Sequence, residues 1–233
     1  MPIYTIEPAA VQAIFDLPFI RPDLWVQVEN LTIPRRARIW MRRLVAVHEA
    51  GHTAISLALW QGHQEGVEIG TDPVLGPWGA HTVGGQININ VLPPDLAIRE
   101  AIKLSLVCLA GPMAQAMAEG EAFDVAEYLA SDDADEPGSD AARVVEYMDR
   151  AARCLGLDAV DWAMIDDLNE AISDLFRSEK VIGLVNAIST ALCKRGRIGE
   201  VGLGLLHERN LPEHEWVRLP SELANRWLEN YRV

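Results

Sequence analysis

The spacing of apolar residues along the chain predicts a mostly helical fold. From Arg36 to Trp60, apolar side chains recur at helical intervals, and Gln61–Gly62 ends the pattern. Pro93–Pro94–Asp95 opens a second helical pattern, Leu96–Glu119, in which Gly111–Pro112 predicts a kink. Further helices are predicted from Ser139–Asp140, over 161–177, over 179–194 and from Ser221.

Residues 66–92 follow a different pattern. The runs GVEIG, GAHTVGG and QININVL are short, favour β-structure and are cut by glycine and proline, so we expect two or three strands of a small sheet. The acidic stretch 119–140 is predicted to be a solvated loop. Together these patterns predict a mainly α fold with a small β-sheet, of the α+β class.

The first 38 residues contain five prolines separated by apolar residues. This pattern predicts an irregular arm, with a short helix near Pro8–Phe15, that packs on a body formed by residues 39–233. Docking of a partner is the alternative role for the arm, but exposed apolar arms are uncommon on soluble monomers.

Composition and charge exclude several classes of protein. The chain has 233 residues, 49% of them hydrophobic, which is ample for a buried core. With 20 Lys and Arg against 34 Asp and Glu, its formal net charge is −14, which makes nucleic acid a poor partner. The N-terminus does not resemble a signal peptide. The most apolar stretches, 44–60 and 101–118, are short and interrupted, so no membrane span is expected. The three cysteines are far apart and not in CxxC pairs, which is typical of reduced thiols in a cytoplasmic protein.

The stretch AVHEAGHTA carries the candidate chemistry. On a helix, His48 and His52 share one face, so both imidazoles can bind the same Zn²⁺ ion. Glu49 lies one step round the helix, where its carboxylate can take a proton from the metal's water. Zinc lowers the pKa of such a water from about 15.7 to about 7. Two core histidines with hydrogen-bonded partners are the structural alternative.

A catalytic zinc needs a third protein ligand and one open position. The candidates are His63, His81, His207, His214 and the carboxylates of the acidic stretch. Asp140 is attractive because it stands at the start of a predicted helix, whereas Asp132, Asp133 and Asp135 are expected in a mobile loop.

The segment LVAVHEAGHTAISLAL resembles the zinc helix of the FtsH family of ATP-dependent zinc metalloproteases. VCLAGPMAQAMAEG is similar to that family's Leu-Ala-Gly-Arg-Ala-Ala-Glu-Glu segment, with Pro112 in place of arginine. PGSDAARVVEYM resembles the helix start that bears the family's aspartate ligand, with Ser139 in place of asparagine. Residues 161–194, followed by RIGE, resemble the last helices of the family's peptidase domain, so that the resemblance covers residues 40–208.

The resemblance implies a zincin-like, FtsH-type peptidase domain. Carried over residue by residue, it implies His48, His52 and Asp140 as zinc ligands and Glu49 as the general base. The stretch GPWGAHTVGG stands where the family has an edge strand beside the site, with which an extended peptide could pair. His81, in that stretch, is interpreted as a surface histidine.

The chain departs from the family in lacking a nucleotide-binding motif. It contains no G-x-x-x-x-G-K-[ST], and none of its lysines, Lys103, Lys180 and Lys194, follows a glycine. We therefore expect it to act on short peptides or unfolded proteins, or to depend on a separate ATPase in trans. Because the family forms rings, the resemblance also leaves open a homo-oligomer.

The sequence thus predicts a zinc metalloendopeptidase that hydrolyses peptide bonds through zinc-bound water activated by Glu49. The main alternative is a non-catalytic protein-binding domain derived from the peptidase fold, and a third hypothesis is a zinc hydrolase of non-peptide amides. Glu49 favours an enzyme, because proton transfer needs this carboxylate and metal binding does not.

Overall fold

The computed structural model describes residues 35–60, 64–72, 76–83, 88–211 and 215–231. The described helices are α1 (Arg35–Trp60), α2 (Pro94–Glu119), α3 (Val125–Leu129), α4 (Asp140–Cys154), α5 (Trp162–Arg177), α6 (Glu179–Arg195), α7 (Glu200–Asn210) and α8 (Leu219–Tyr231). The described strands are β1 (Gln64–Asp72), β2 (Gly76–Val83) and β3 (Arg197–Gly199). Short 3-10 turns span Ile89–Val91, Asp132–Asp135 and Glu215–Arg218. The predicted class, mostly helix with a small sheet, is confirmed.

Helix α1 lies at the centre of the fold. Every residue from Glu49 to Leu59 is buried, because α2, α6, β1 and β2 all pack around this half of the helix. Buried polar groups are costly unless they have partners. Within α1, the Thr53 hydroxyl donates to the Glu49 carbonyl at 2.7 Å. The buried side chains of Glu49 and His52 therefore need polar or charged partners, and these come from neighbouring elements of the fold.

Helix α2 is the second core helix and packs closely on α1. A Cβ added to Gly51 would lie 2.8 Å from the Cβ of Ala114, so only small residues allow the two backbones to approach this closely. Helix α2 continues without a break through Gly111 and Pro112. By length and composition it is the one described helix that could cross a membrane, and 56% of its most apolar window is buried within the fold, as in a core helix.

The sheet is antiparallel and has the strand order β2–β1–β3. Val67 and Ile69 of β1 are buried in the core, and β1 packs against α1. Two strands are therefore found here, in agreement with the prediction of two or three, and the described part of the run QININVL is not a strand. Ile89–Val91 is a 3-10 turn, whose start is capped where the Asn88 side chain accepts from the Asn90 amide at 3.0 Å.

The third strand and two helices differ from the sequence-based prediction. Strand β3 pairs with Gly66–Glu68 of β1, far away in the chain. Helix α7, which contains Gly202 and Gly204, is absent from the prediction. The acidic stretch is not a continuous loop, because it contains α3 and the turn Asp132–Asp135. The arm proposed for residues 1–38, with its helix near Pro8–Phe15, lies outside the described residues except for the first turn of α1.

Helices α5 and α8 are joined by a cluster of polar contacts. The carboxylate of Asp167 accepts from the indole N–H of the buried Trp227 at 2.7 Å and from the Arg226 guanidinium at 2.6 Å. This pairing gives a buried donor its acceptor and fixes the last helix to the core.

Candidate metal centre

His48, His52 and Asp140 meet at one point between α1 and α4. The Nε2 atoms of the two histidines are 3.0 Å apart, and their ring centroids are 4.6 Å apart. Oδ2 of Asp140 lies 3.2 Å from Nε2 of His48 and 3.1 Å from Nε2 of His52. Among the described residues, this is the group of three side chains that could hold a metal ion.

The spacing of these three donor atoms suits a small, tetrahedral cation. A zinc ion with nitrogen and oxygen ligands at about 2.0–2.1 Å places pairs of donors about 3.3–3.4 Å apart. The observed separations of 3.0, 3.1 and 3.2 Å form a nearly equilateral triangle of almost this size. Side-chain shifts of a few tenths of an ångström would suffice to seat the ion, so the residues fit such a group.

His52 is oriented by the backbone of α2. Its Nδ1–H donates to the Val107 carbonyl at 2.7 Å, which leaves the lone pair of Nε2 directed at His48 and Asp140. Burial alone would lower the pKa of His52. The hydrogen bond to Asp140 and the negative charges of Asp140 and Glu49 outweigh burial, so the pKa lies above its ordinary value. The same negative field that favours a proton here also favours a metal cation.

Asp140 is held at the first position of α4. Ser139 caps this helix, because its Oγ accepts from the Ala142 amide at 3.0 Å and also donates to the Asp133 carbonyl. Burial alone would raise the pKa of Asp140, but hydrogen bonds from His48 and His52 hold it well below its usual range. The helix N-terminus adds a favourable field for a carboxylate. Asp140 is therefore an anionic donor in a fixed position.

Glu49 is buried beside the group and lies against the sheet. Only 8% of the residue's surface is exposed. A Cβ added to Gly79 of β2 would lie 2.6 Å from Oε1 of Glu49, so the absence of a side chain at Gly79 makes room for the carboxylate. The backbone of β2 thus bounds the space of the Glu49 carboxylate on one side.

A second glycine makes room for the histidines. A Cβ added to Gly111 would lie 2.8 Å from Nε2 of His48 and would overlap the ring of His52. Gly111 belongs to the Leu-Ala-Gly-Pro turn of α2. Its backbone therefore forms one wall of the space in which the three donor atoms meet.

The group opens on one side into a cleft. About a quarter of the His48 side chain is exposed, at 25%, against 4% for His52. His48 lines a cleft of about 490 Å³ that continues over Pro112 and Ala116 of α2 to Tyr128 of α3. Burial, with the negative charge of Asp140 as a second cause, raises the pKa of the Tyr128 phenol, so this hydroxyl stays protonated. A ligand in the cleft would reach the donor triangle from the His48 side.

The structure brings together four of the residues singled out from the sequence, His48, Glu49, His52 and Asp140. The other candidates for the third ligand do not join them in the described residues. His207 lies on α7, and the carboxylates of Asp132, Asp133 and Asp135 belong to the 3-10 turn that precedes α4. His63 and His214 lie outside the described residues. His81 stands opposite Val67 in β2, and its side chain is outside the described part.

Sequence reasoning missed three contributors to this centre. The Val107 carbonyl orients His52, and a backbone acceptor leaves no mark in a sequence. Gly79 and Gly111 act by having no side chain; a glycine inside an otherwise regular element was the available signal. The cleft residues around Tyr128 carry no pattern that separates them from a solvated loop.

The comparisons with known proteins give no identification. No family model matches the chain, and a search of curated proteins finds no significant relative. Assignment of a function therefore depends on the geometry of the site.

Proposed function

We propose that this protein is a zinc-dependent metallopeptidase in which His48, His52 and Asp140 hold the ion and Glu49 is the general base. The observation that carries the proposal is the triangle of three donor atoms, 3.0–3.2 Å apart. Beside it, Glu49 places a buried carboxylate directly after His48 in α1. Three protein ligands and an open fourth position are typical of catalytic zinc sites. The resemblance of the zinc helix to that of the FtsH family supports the same activity.

Two neutral imidazoles and one carboxylate suit zinc, and they also suit Fe(II). Glu49 favours the hydrolytic assignment, because a base next to the metal is needed to deprotonate water and is not needed to hold an ion. Its burial and its confinement by Gly79 fix the carboxylate in one place, as efficient proton transfer requires.

The chemistry of hydrolysis divides between the ion and the chain. When bound, zinc lowers the pKa of water and polarises the carbonyl of the scissile bond. Glu49 accepts a proton from the water whose oxygen attacks the carbonyl carbon. As the carbon–nitrogen bond breaks, Glu49 delivers that proton to the departing amine. The hydrogen bond to the Val107 carbonyl fixes the orientation of the His52 ring, so that the three donor atoms keep their relative positions during the reaction.

Strand β2 offers a way to align the substrate. It is an outer strand of the described sheet, paired with β1 on one side. Because Gly79 lies against Glu49, an extended peptide that paired with β2 would run past the general base. Main-chain pairing of this kind requires an extended substrate, so we propose short peptides and unfolded proteins as substrates. A separate ATPase that unfolds proteins in trans is compatible with this proposal.

The test combines metal analysis with cleavage. Zinc and iron are measured per chain in purified protein by mass spectrometry, and degradation of an unfolded protein is followed for wild type, Glu49→Gln and Glu65→Gln. Glu65 is an exposed glutamate of β1 and is the matched control. We expect one zinc per chain in all three proteins and loss of cleavage in Glu49→Gln alone.

Two results would contradict the proposal. Iron in place of zinc would contradict the assignment of the metal, and iron without Glu49-dependent cleavage would also remove the hydrolytic assignment. Zinc without any Glu49-dependent cleavage would favour the alternative of a protein-binding domain that uses its metal structurally.

A further inference from the structure

The cleft that begins at His48 has two kinds of lining. Its apolar part consists of side chains from the end of α2, from the segment that follows it and from α3, namely Pro112, Ala116, Ala122, Phe123 and Tyr128. Its polar part carries the carboxylates of Glu119, Glu121, Asp124, Glu127, Asp132 and Asp133. A volume of about 490 Å³ lies within the ordinary range of ligand pockets, about 300–1,000 Å³. The cleft therefore has room for side chains of a bound peptide next to the metal centre.

Acidic residues are more frequent among the residues that line this cleft than in the chain as a whole. Six of its 14 lining residues are acidic, whereas acidic residues make up 34 of the 233 in the whole chain. No lysine or arginine is among the described residues that line it. Burial and the neighbouring charge of Glu121 raise the pKa of Glu119, as expected where carboxylates crowd together. A positively charged group entering the cleft would relieve this repulsion.

Lysine and arginine side chains match both kinds of lining at once. Each has an apolar stem that packs on apolar surface and a cationic end that seeks carboxylates or water. The stem would lie on Phe123 and Tyr128, while the charged end would meet the carboxylates. An acidic side chain would be repelled, and a purely apolar one would partly desolvate the carboxylates without giving them a partner.

We propose that the cleft makes this protein selective for basic substrates, that is, for peptides with lysine or arginine adjacent to the bond that is cleaved. This inference rests on the peptidase function proposed above. It places substrate discrimination in the segment 119–133, which the sequence presents only as an acidic stretch. The cleft begins at His48, so the discriminating side chain lies next to the reacting bond and not at a remote site.

The test uses zinc-loaded protein and a set of fluorogenic peptides that differ at one residue. Lysine, arginine, norleucine, glutamine or glutamate is placed on either side of the scissile bond, and kcat/KM is measured at low and high salt. Exposed ion pairs are individually weak, but several together give a preference of about tenfold for lysine over norleucine. That preference should shrink as salt screens the carboxylates, while cleavage of the norleucine peptide changes little.

Charge-neutralising variants locate the effect. In the cleft variant Glu121→Gln/Glu127→Gln/Asp133→Asn, the ratio of kcat/KM for the lysine and norleucine peptides should fall towards one. Because the ratio is measured within one preparation, partial misfolding does not affect it. The control Glu208→Gln/Glu222→Gln/Glu229→Gln removes the same formal charge from exposed positions of α7 and α8 that do not line the cleft. It should keep the wild-type ratio.

Binding of the same peptides to zinc-loaded Glu49→Gln, measured by fluorescence anisotropy, separates the two proposals. Glu49-dependent cleavage with equal kcat/KM for lysine, norleucine and glutamate peptides would overturn the selectivity and leave the peptidase function standing. Absence of cleavage, together with tighter binding of lysine peptides that the cleft variant loses, would overturn the peptidase and support basic recognition. Absence of both would overturn both.

Discussion

The backbone of Gly79 lies directly against the carboxylate of Glu49, with no space for a side chain between them. A Cβ at position 79 would lie 2.6 Å from Oε1 of the glutamate. A strand of the sheet therefore sets the position of the proposed general base, which itself belongs to a helix. The contact also joins the edge at which a substrate would align to the residue that would move its proton.

Replacement of Gly79 by alanine should therefore reduce catalysis without removing the metal. The new methyl group displaces the Glu49 carboxylate, and misplacement of a catalytic group by about 1 Å can cost about 100-fold in rate. We expect kcat to fall at least about tenfold, with zinc content unchanged, in a peptide cleavage assay. Gly199→Ala is the control, since a Cβ there meets nothing within 4 Å. Equal activity of the two variants would contradict the role given to Gly79.

Ser139→Ala should weaken metal binding through Asp140. The hydroxyl of Ser139 caps α4 and ties its start to the Asp133 carbonyl, so its loss frees the first turn that carries the ligand. Loss of a cap costs about 1 kcal/mol, and loss of a residue that orients a ligand weakens metal affinity about 10- to 100-fold. Competition titration with a chromophoric chelator measures the dissociation constant. Ser178→Ala is the matched control, because Ser178 precedes α6 without a capping hydrogen bond from its side chain; a similar change in both variants would argue against positioning by Ser139.

Gly111→Ala should abolish stoichiometric metal binding. The added methyl group occupies the space of the His48 and His52 rings and separates their donor atoms. Metal content after gel filtration should fall well below one ion per chain. Gly204→Ala provides the comparison: it makes the same exchange inside α7, where a Cβ meets nothing, and should raise the free energy of unfolding by about 0.5–1 kcal/mol. Retention of a full complement of metal by Gly111→Ala would show that the centre tolerates a wider separation of the helices.

Asp167→Ala should destabilise the fold and leave the metal centre intact. It removes the acceptor of the buried Trp227 indole and the partner of Arg226, and an unsatisfied buried donor costs about 1–3 kcal/mol. Urea denaturation of the zinc-loaded protein measures the loss. Asp166→Ala, at the exposed neighbouring position, should change the free energy of unfolding by less than about 0.5 kcal/mol. If both variants unfold at the same urea concentration, the α5–α8 contact does not stabilise the fold.

The start of α4 shows that features determined by neighbouring residues can be predicted from the sequence. Ser139 followed by apolar residues at helical spacing is a local signal, and it is enough to place Asp140 at a helix start. The histidine pair of α1 is likewise local, because its geometry follows from one turn of helix. That Asp140 comes within 3.2 Å of these histidines depends on tertiary packing, because His48 and Asp140 are 92 residues apart in the chain. Its place at a helix start makes Asp140 an attractive candidate for the third ligand, and the resemblance to FtsH peptidases implies it directly.

Strand β3 and the turn at Ile89–Val91 show the opposite case. Arg197–Gly199 is too short to be recognised as a strand, and it is one because Gly66–Glu68 of β1 supplies its partners. Ile89–Val91 has strand-like composition, yet the Asn88 side chain offers its backbone a local hydrogen bond and a 3-10 turn results. Gly79 and the Val107 carbonyl shape the site through backbone atoms, which composition and periodicity do not describe.

The donor atoms of the metal centre come from two helices that are distant in the chain, α1 and α4. An ion held there would be a reversible cross-link between the two helices. It would bind only the folded form, because only the folded chain brings the three donors together. By mass action, a ligand that binds the folded form alone raises the free energy of unfolding in proportion to the logarithm of its concentration over its dissociation constant. The fraction of folded protein in a cell would then follow the local supply of the ion.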